Sequence, residues 1–184
     1  MRSRGRVSGI SKHMEGKPVH ESASEYSELA LPNDANGLGN VLGGKVMHLV
    51  DLAAAMAAMR HARKPVVTAS VDSLHFLHPV HIGQLIILRS SVNRVFRSSL
   101  EVGVKVVTED LMTGACVHTC SAYLTFVALG ESGAATPVPP VIPESEEEKR
   151  RYREAGERRE YRLALRKRAR GGEIAESCRQ VRTG

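Results

Sequence analysis

The chain contains 184 residues, of which 42% are apolar and 25% are charged, and this composition excludes a largely disordered chain. The length suits one domain with a hydrophobic core. Its three cysteines include no CxxC pair, which argues against a disulfide framework and a zinc site. No run reaches the ~18 apolar residues that a membrane span requires. We therefore expect a cytoplasmic protein without a membrane span.

The net charge of +6 is placed unevenly, because residues 144–170 carry 11 basic and 7 acidic side chains. Acidic and basic residues are interleaved there, which is typical of a solvated helix rather than a nucleic-acid-binding surface. Aromatic residues make up 4% of the chain and there is no tryptophan, so a base-stacking surface would be poorly supplied. We predict no nucleic-acid partner.

The first part of the chain is predicted to hold a strand and a long helix. Residues 1–22 read as a flexible basic arm, and residues 25–32 favour a strand. A loop rich in Asn and Gly follows, with the composition of turns. The next segment, residues 44–62, consists of good helix formers without an internal proline, which predicts a long helix.

The second part is predicted to form an antiparallel sheet. Four segments rich in Val, Ile, Leu and Thr are separated by short turns, at residues 66–77, 84–96, 98–108 and 115–129. From Leu100 to Val106 apolar side chains occupy every second position and Glu101 falls on the opposite face, which indicates a half-buried strand. We predict an α+β domain over residues 23–130, with the sheet wrapped around the helix.

The end of the chain has a different composition. Residues 131–143 form a linker rich in Pro and Ala, and residues 144–184 are expected to form a charged, exposed helix and a tail. We interpret this helix as solvated on the surface of an oligomer.

Asp51 is an unexpected residue in the long helix, which is otherwise apolar nearly all the way round from Val46 to Met59 except for His48. Burying a lone carboxylate is costly unless it is paired or protonated. Asp51 therefore either faces a polar seam or another subunit, or serves as a base or nucleophile in a partly dry cleft.

Gly43 and Gly44 lie where this helix is expected to begin. Backbone N–H groups at a helix N-terminus lack intrahelical partners and carry the positive end of the helix dipole, so they can hold an oxyanion or polarise a carbonyl. Asp51 lies about two turns further on, roughly 10 Å along the axis. That distance is too long for one small group within one subunit. The spacing therefore favours a site at a dimer interface.

Other motifs favour different chemistries less well. Residues 39–46 approach a nucleotide-binding loop but place Val46 where a hydroxyl is needed. Three histidines lie close together with a proline among them, and we expect them to be structural or solvent-facing rather than metal ligands: His75, His78 and His81. His48 precedes Asp51 by three residues, so a His–Asp pair acting as an acyl-thioester hydratase is an alternative.

Several stretches together resemble the hotdog-fold acyl-CoA thioesterases, and most of all the brain-type acyl-CoA hydrolases and their bacterial YciA-like relatives. These stretches are LPNDANGLGNVLGGKVMHLVDLAAAMAA, VVTASVDSLHFLHPVHIGQLI, RSSLEVGVKV and SAYLTFVAL. The resemblance covers about residues 24–165. It implies a hotdog fold, hydrolysis of acyl-CoA to free fatty acid and coenzyme A without a cofactor, and domains paired as homodimers that commonly assemble as trimers of dimers, that is, hexamers.

The resemblance also implies roles for individual residues. Asn36 matches the catalytic asparagine of the loop and would orient the substrate or the attacking water. Asp51 matches the catalytic aspartate of the helix and would act as general base or as nucleophile. The backbone N–H groups of Gly43 and Gly44 would polarise the thioester carbonyl. A segment near the CoA nucleotide in the family corresponds to Arg97, Ser98 and Ser99. An acyl-CoA sensor without turnover is a further alternative.

Overall fold

The computed structural model describes residues 14–168. In chain order its elements are β1 (Lys17–Pro18), β2 (Ser24–Leu29), α1 (Gly43–Ala62), β3 (Val66–Phe76), β4 (Leu85–Phe96), β5 (Ser99–Glu109), β6 (Cys116–Ala128), β7 (Val141–Ile142) and α2 (Glu146–Arg168), with 3-10 turns at Val19–Ser22 and Pro32–Asp34. The predicted long helix and the five predicted strands are confirmed, each within a few residues of its expected bounds. The rest of the expected arm and tail, residues 1–13 and 169–184 with Cys178, lies outside the described residues.

The main sheet has five antiparallel strands in the order β2-β4-β5-β6-β3. Short turns join β4 to β5 and β5 to β6, as expected for neighbouring strands. Strands β2 and β3 form the two edges. Helix α1 packs against the inner face of the sheet, so the predicted α+β hotdog architecture, a sheet around a central helix, is confirmed. Neither helix of the described residues is long and apolar enough to cross a membrane.

The core lies between α1 and the sheet. The buried side of α1 is rich in alanine, whose small side chain lets the strands approach the helix closely. On β5, the apolar residues from Leu100 to Val106 at alternate positions are at most 3% exposed, which confirms the predicted alternation. Helix α1 ends at Ala62 and is capped by Arg63, which has a positive φ of 51° and donates its backbone N–H to the Met59 carbonyl at 2.8 Å.

Helix α2 lies on the outer face of the sheet and is less separate from the domain than the sequence indicates. Much of its surface is exposed, but Ala155 is fully buried and Arg158 contacts Glu101 of β5 at 2.7 Å. The expectation that Glu101 lies on a solvated strand face is wrong, because α2 covers that face and Glu101 is 0% exposed. Arg158 and the Asn93 amide satisfy its carboxylate.

The segments before and after the domain are packed where the structure describes them. Lys17 and Pro18 pair in parallel with Val141 and Ile142, and Ser22 is fully buried. The expected flexible arm therefore does not extend to residue 22, and the expected linker is ordered between 138 and 142. The physical reason is that these short segments carry apolar residues, among them Val141, that the domain buries.

Candidate active site

The N-terminus of α1 presents unblocked backbone donors to the surface. Gly43 and Gly44 form its first turn and are both exposed, and the preceding residue, Leu42, provides no side-chain cap. Among the hydrogen bonds of the described residues, none uses the backbone N–H of Gly43 or Gly44. A side chain at Gly43 would contact the Phe76 ring at 3.7 Å, whereas Gly44 has open space around it. The end of the helix can therefore accept a negatively charged oxygen.

Asn36 lies in the loop that leads into this helix. Its side-chain oxygen accepts hydrogen bonds from the backbone N–H groups of Leu38 at 2.8 Å and Asn40 at 3.2 Å, so it fixes the turn. Its side-chain amide nitrogen makes no hydrogen bond within residues 14–168. The loop thus holds the asparagine in a defined position and leaves its N–H donors available.

Lys45 anchors the same loop to the sheet. Its ammonium group lies 2.6 Å from a Glu28 carboxylate oxygen and 3.4 Å from an Asp34 oxygen, so one side chain links α1, β2 and the loop. The hydrogen bond from Lys45 lowers the pKa of Glu28. Tyr26 donates a second hydrogen bond to Glu28 at 2.5 Å. This network sets the position of the loop relative to the helix N-terminus.

Asp51 lies in the third turn of α1, beside the edge strand β3. The Thr68 hydroxyl donates a hydrogen bond to Asp51 Oδ1 at 2.8 Å, and no hydrogen bond of the described residues reaches Asp51 Oδ2. The carboxylate is half-buried rather than fully enclosed. His48 is exposed, and its imidazole is not hydrogen-bonded to Asp51. One carboxylate oxygen is therefore fixed and the other is accessible.

Exposed apolar side chains lie on α1 and β3, the two elements that hold Asp51 and Thr68. We define the open face as four apolar side chains of these elements that are each 41–49% exposed: Met47, Leu52, Met59 and Val71. Helix α1 is apolar nearly all the way round, but within a single chain part of that apolar surface is exposed. Exposed patches of this kind mark protein interaction sites, and β3 also carries an unpaired strand edge.

The three residues expected near the CoA nucleotide, Arg97, Ser98 and Ser99, lie apart from Asp51. Arg97 is the exposed residue of a tight turn between β4 and β5, with a positive φ of 63°. Ser98 and Ser99 line a cavity on the outer face of the sheet, under α2. Asn36 thus lies in the loop that leads into α1, whereas Ser98 and Ser99 lie on the face of the sheet that α2 covers.

Comparison with known proteins gives the family. The thioesterase superfamily matches residues 38–115, from the loop through β5. An uncharacterized acyl-CoA thioester hydrolase of Bacillus subtilis is 44% identical over 128 residues, which cover 70% of this chain and 74% of that protein. The chain belongs to the thioesterase superfamily.

Solved members of the superfamily share the fold of this chain. A hexameric acyl-CoA thioesterase, solved without ligand, has a TM-score of 0.80 and 42% identity, and the match covers 83% of this chain and 97% of that one. An acyl-CoA hydrolase of Staphylococcus aureus, in complex with butyryl coenzyme A, coenzyme A and coenzyme A disulfide, has a TM-score of 0.80 and 35% identity, covering 88% and 98%. That hydrolase was also solved with an asparagine, an aspartate or a threonine replaced by alanine.

Sequence reasoning missed Thr68. It lies in a strand with the ordinary composition of an edge strand, and nothing in the local pattern separates it from neighbouring hydroxyl residues such as Ser70. Its signal is three-dimensional, since only the packing of β3 beside α1 brings it to Asp51. His75, His78 and His81 are exposed, and the described residues contain no group of three or more His, Cys, Asp or Glu arranged to hold a metal ion.

Proposed function

We propose that this chain is an acyl-CoA thioesterase, which hydrolyses acyl-CoA to the free fatty acid and coenzyme A at sites completed by a second copy of the chain. The observation that carries the proposal is the Asp51 carboxylate, which Thr68 holds by one oxygen at the border of the open face. Superfamily membership supports the reaction, as do the coenzyme A ligands of the Staphylococcus aureus hydrolase.

A second subunit is needed for geometric reasons. Asp51 and the free N–H groups of Gly43 and Gly44 lie on one helix, about two turns and roughly 10 Å apart along its axis. A thioester carbonyl held by those N–H groups is therefore out of reach of Asp51 in the same chain. Pairing two chains through the open face and the edge of β3 would bring Asp51 of one copy to the helix N-terminus of the other.

The residues then have separate tasks. The N–H groups of Gly43 and Gly44 bind the carbonyl oxygen of the thioester and stabilise the negative charge that develops on it. Asn36 uses its side-chain N–H donors to orient the substrate or the water. Asp51 acts through Oδ2, either removing a proton from the water that attacks the carbonyl carbon or attacking that carbon itself to form an anhydride. In both routes the carbon–sulfur bond breaks and coenzyme A leaves as a thiolate that takes up a proton, and in the second route water then hydrolyses the anhydride. A single turnover in labelled water tests for the second route, because label enters the Asp51 carboxylate only when water attacks the aspartyl carbon of the anhydride.

The variants of the Staphylococcus aureus hydrolase support this assignment. The asparagine, the aspartate and the threonine replaced in that protein have the same spacing along the chain as Asn36, Asp51 and Thr68. Thr68 therefore joins the proposed site as the residue that positions Asp51.

The test uses two inactive variants that are expected to restore activity when they form mixed dimers. We expect Asn36→Ala and Asp51→Ala each to abolish most release of free thiol from acyl-CoA. Co-expression of the two variants is expected to restore about a quarter of wild-type activity, because half of randomly formed dimers are mixed and each mixed dimer contains one intact site. Undiminished activity in both single variants would refute the site. If mixed dimers form but activity does not recover, the proposal that two chains share each site is refuted, while the proposed catalytic residues are not.

The assembly and the location are further parts of the proposal. Hexameric relatives support a hexamer, and we infer that it is built as a trimer of dimers paired through the open face. A cytosolic acyl-CoA thioester hydrolase of human is 33% identical over 142 residues, covering 76% of this chain and 37% of that protein, which supports a cytoplasmic location. The two cysteines of the described residues, Cys116 and Cys120, are both free.

A further inference from the structure

The edge strand β3 is irregular beside the residue that binds Asp51. Its pairing with β6 shifts register twice, and one residue of β3 is left over at each shift: Ala69 and Asp72. An extra residue of this kind bends the strand, increases its twist and re-aims the side chains next to it. Thr68 comes directly before the first of these bulges, so the direction of its hydroxyl depends on the shape of β3.

Helix α2 fixes the second bulge. Arg162 of α2 forms an ion pair with the Asp72 carboxylate on the outer face of the sheet. The Asp72 side chain is 8% exposed and the Arg162 side chain is 18% exposed. Burying a carboxylate to this extent is costly unless a partner satisfies it, so the ion pair ties the bulge to one position under α2.

The part of α2 that carries Arg162 is itself fixed on the central strands. About one turn before it, Arg158 pairs with the buried Glu101 carboxylate of β5 at 2.7 Å and lies over the Tyr123 ring of β6 at 3.7 Å. About one turn earlier still, Ala155 is fully buried. The helix is therefore anchored on β5 and β6, and from that anchor Arg162 reaches the edge strand.

We propose that Arg162 is a positioning residue for the thioesterase reaction, because its ion pair with Asp72 holds β3 in the shape that brings Thr68 to Asp51. This inference rests on the proposed function. Thr68 contacts α1 on the inner face of the sheet, whereas Arg162 lies with α2 on the outer face. Arg162 thus acts through β3 rather than on the reacting atoms, over four residues or roughly 13 Å of strand.

The double variant Asp72→Asn/Arg162→Met removes both charges of the pair. Replacing a buried ion pair by uncharged residues often leaves stability unchanged, whereas removing one partner leaves an unpaired charge. We expect kcat for acyl-CoA to fall about fivefold to tenfold with less than about a twofold change in KM, because the Asp51 carboxylate loses its orientation while substrate contacts remain. In a crystal structure of this variant, the Thr68 hydroxyl should lie beyond about 3.5 Å from Asp51.

Thr68→Val provides the decisive comparison. Because Arg162 acts through Thr68, adding the two substitutions to Thr68→Val should lower kcat by less than about twofold further. An equal loss with and without Thr68→Val would overturn the proposal. So would wild-type kcat in the folded double variant, or a loss of kcat accompanied by a lower sedimenting mass, since the pair would then act on assembly.

Arg150→Met/Glu154→Gln is the matched control. It removes an ion pair of 2.6 Å within α2 that does not involve β3, so kcat should stay at the wild-type value. If the Asp72→Asn/Arg162→Met chain does not fold, Arg162→Lys takes its place, because it keeps a positive charge beside Asp72. Arg162→Lys should lower kcat by a smaller factor, and only while Thr68 is present.

The proposed function and this inference fail in different ways. A wild type that does not hydrolyse acyl-CoA refutes the proposed function, and this inference with it. An active wild type in which the Asp72→Asn/Arg162→Met pair and Thr68→Val lower kcat independently refutes this inference alone.

Discussion

At the scale of single residues, Thr68 is the contact most directly tied to catalysis. Its hydroxyl holds Asp51 Oδ1 at 2.8 Å, and hydrogen bonds to charged groups contribute about 1.5–3 kcal/mol. We expect Thr68→Val to lower kcat about tenfold to a hundredfold, since the carboxylate loses its fixed orientation. Steady-state kinetics on acyl-CoA measures this effect.

Thr68→Ser is the matched control for that prediction, because it retains a hydroxyl on the same strand. Activity close to wild type in Thr68→Ser and low activity in Thr68→Val would show that the hydrogen bond matters. Equal activity in both variants would contradict the positioning role of Thr68.

Some residues of the proposed site are easier to recognise in the sequence than others. Asp51 stands out in the sequence, because a charge inside an apolar helix conflicts with its neighbours, and Gly43 and Gly44 stand out because they lie at the start of a strong helix. Thr68 cannot be predicted, since a threonine in a strand conflicts with nothing. The burial of Glu101 cannot be predicted from the sequence either. Its partner, Arg158, lies on α2, and nothing in the strand indicates that α2 covers this face.

At the scale of elements, a buried histidine fastens the segment before β7 to the end of α1. His61 is 0% exposed, its Nε2 lies 2.8 Å from the Pro139 carbonyl, and burial lowers its pKa. The nearest charges act in opposite directions on this pKa, since Lys17 lowers it and Glu21 raises it. The neutral form of His61 is therefore more strongly favoured in the folded protein than in the unfolded chain.

This burial makes the stability dependent on pH. In the unfolded chain the imidazole gains a proton near its ordinary pKa of 6.5, whereas in the folded protein it does so only at lower pH, so stability falls as the pH decreases below 6.5. Glutamine at this position cannot be protonated, so we expect the Tm of His61→Gln to fall less than that of the wild type between about pH 7.5 and about pH 5.5. The exposed His78→Gln should keep the wild-type dependence, and identical curves for all three proteins would contradict the assignment.

The elements themselves were largely predictable, because their patterns are local. Alternation along β5 and the alanine-rich run of α1 indicate strand and helix without knowledge of the partners. The ordering of residues 14–22 and of residues 138–142 was not predictable. Each segment is too short to show the periodicity of a helix or a strand. The two segments stabilise each other, since Lys17 and Pro18 pair with residues more than a hundred positions away.

At the scale of the whole molecule, the open face is expected to hold two chains together. Leu52 lies on it with 41% exposure. Leu52→Lys would place one charge from each chain in an apolar interface, where an unpaired charge is strongly unfavourable. We expect this variant to sediment at a lower mass than the wild type and to lose activity with it. Met112→Lys, at a 90% exposed position outside the open face, should retain both mass and activity.

The pairing of β1 with β7 has a consequence for how a ribosome delivers this protein. Lys17 and Pro18 leave the exit tunnel early, but their partners, Val141 and Ile142, are made only after the whole sheet has been translated. Strand β1 can therefore pair only after β7, one of the last elements of the described fold, has been synthesised. A released chain that ends before residue 141 contains α1 and all five strands of the main sheet but lacks the partners of Lys17 and Pro18, so its beginning should stay open to proteases.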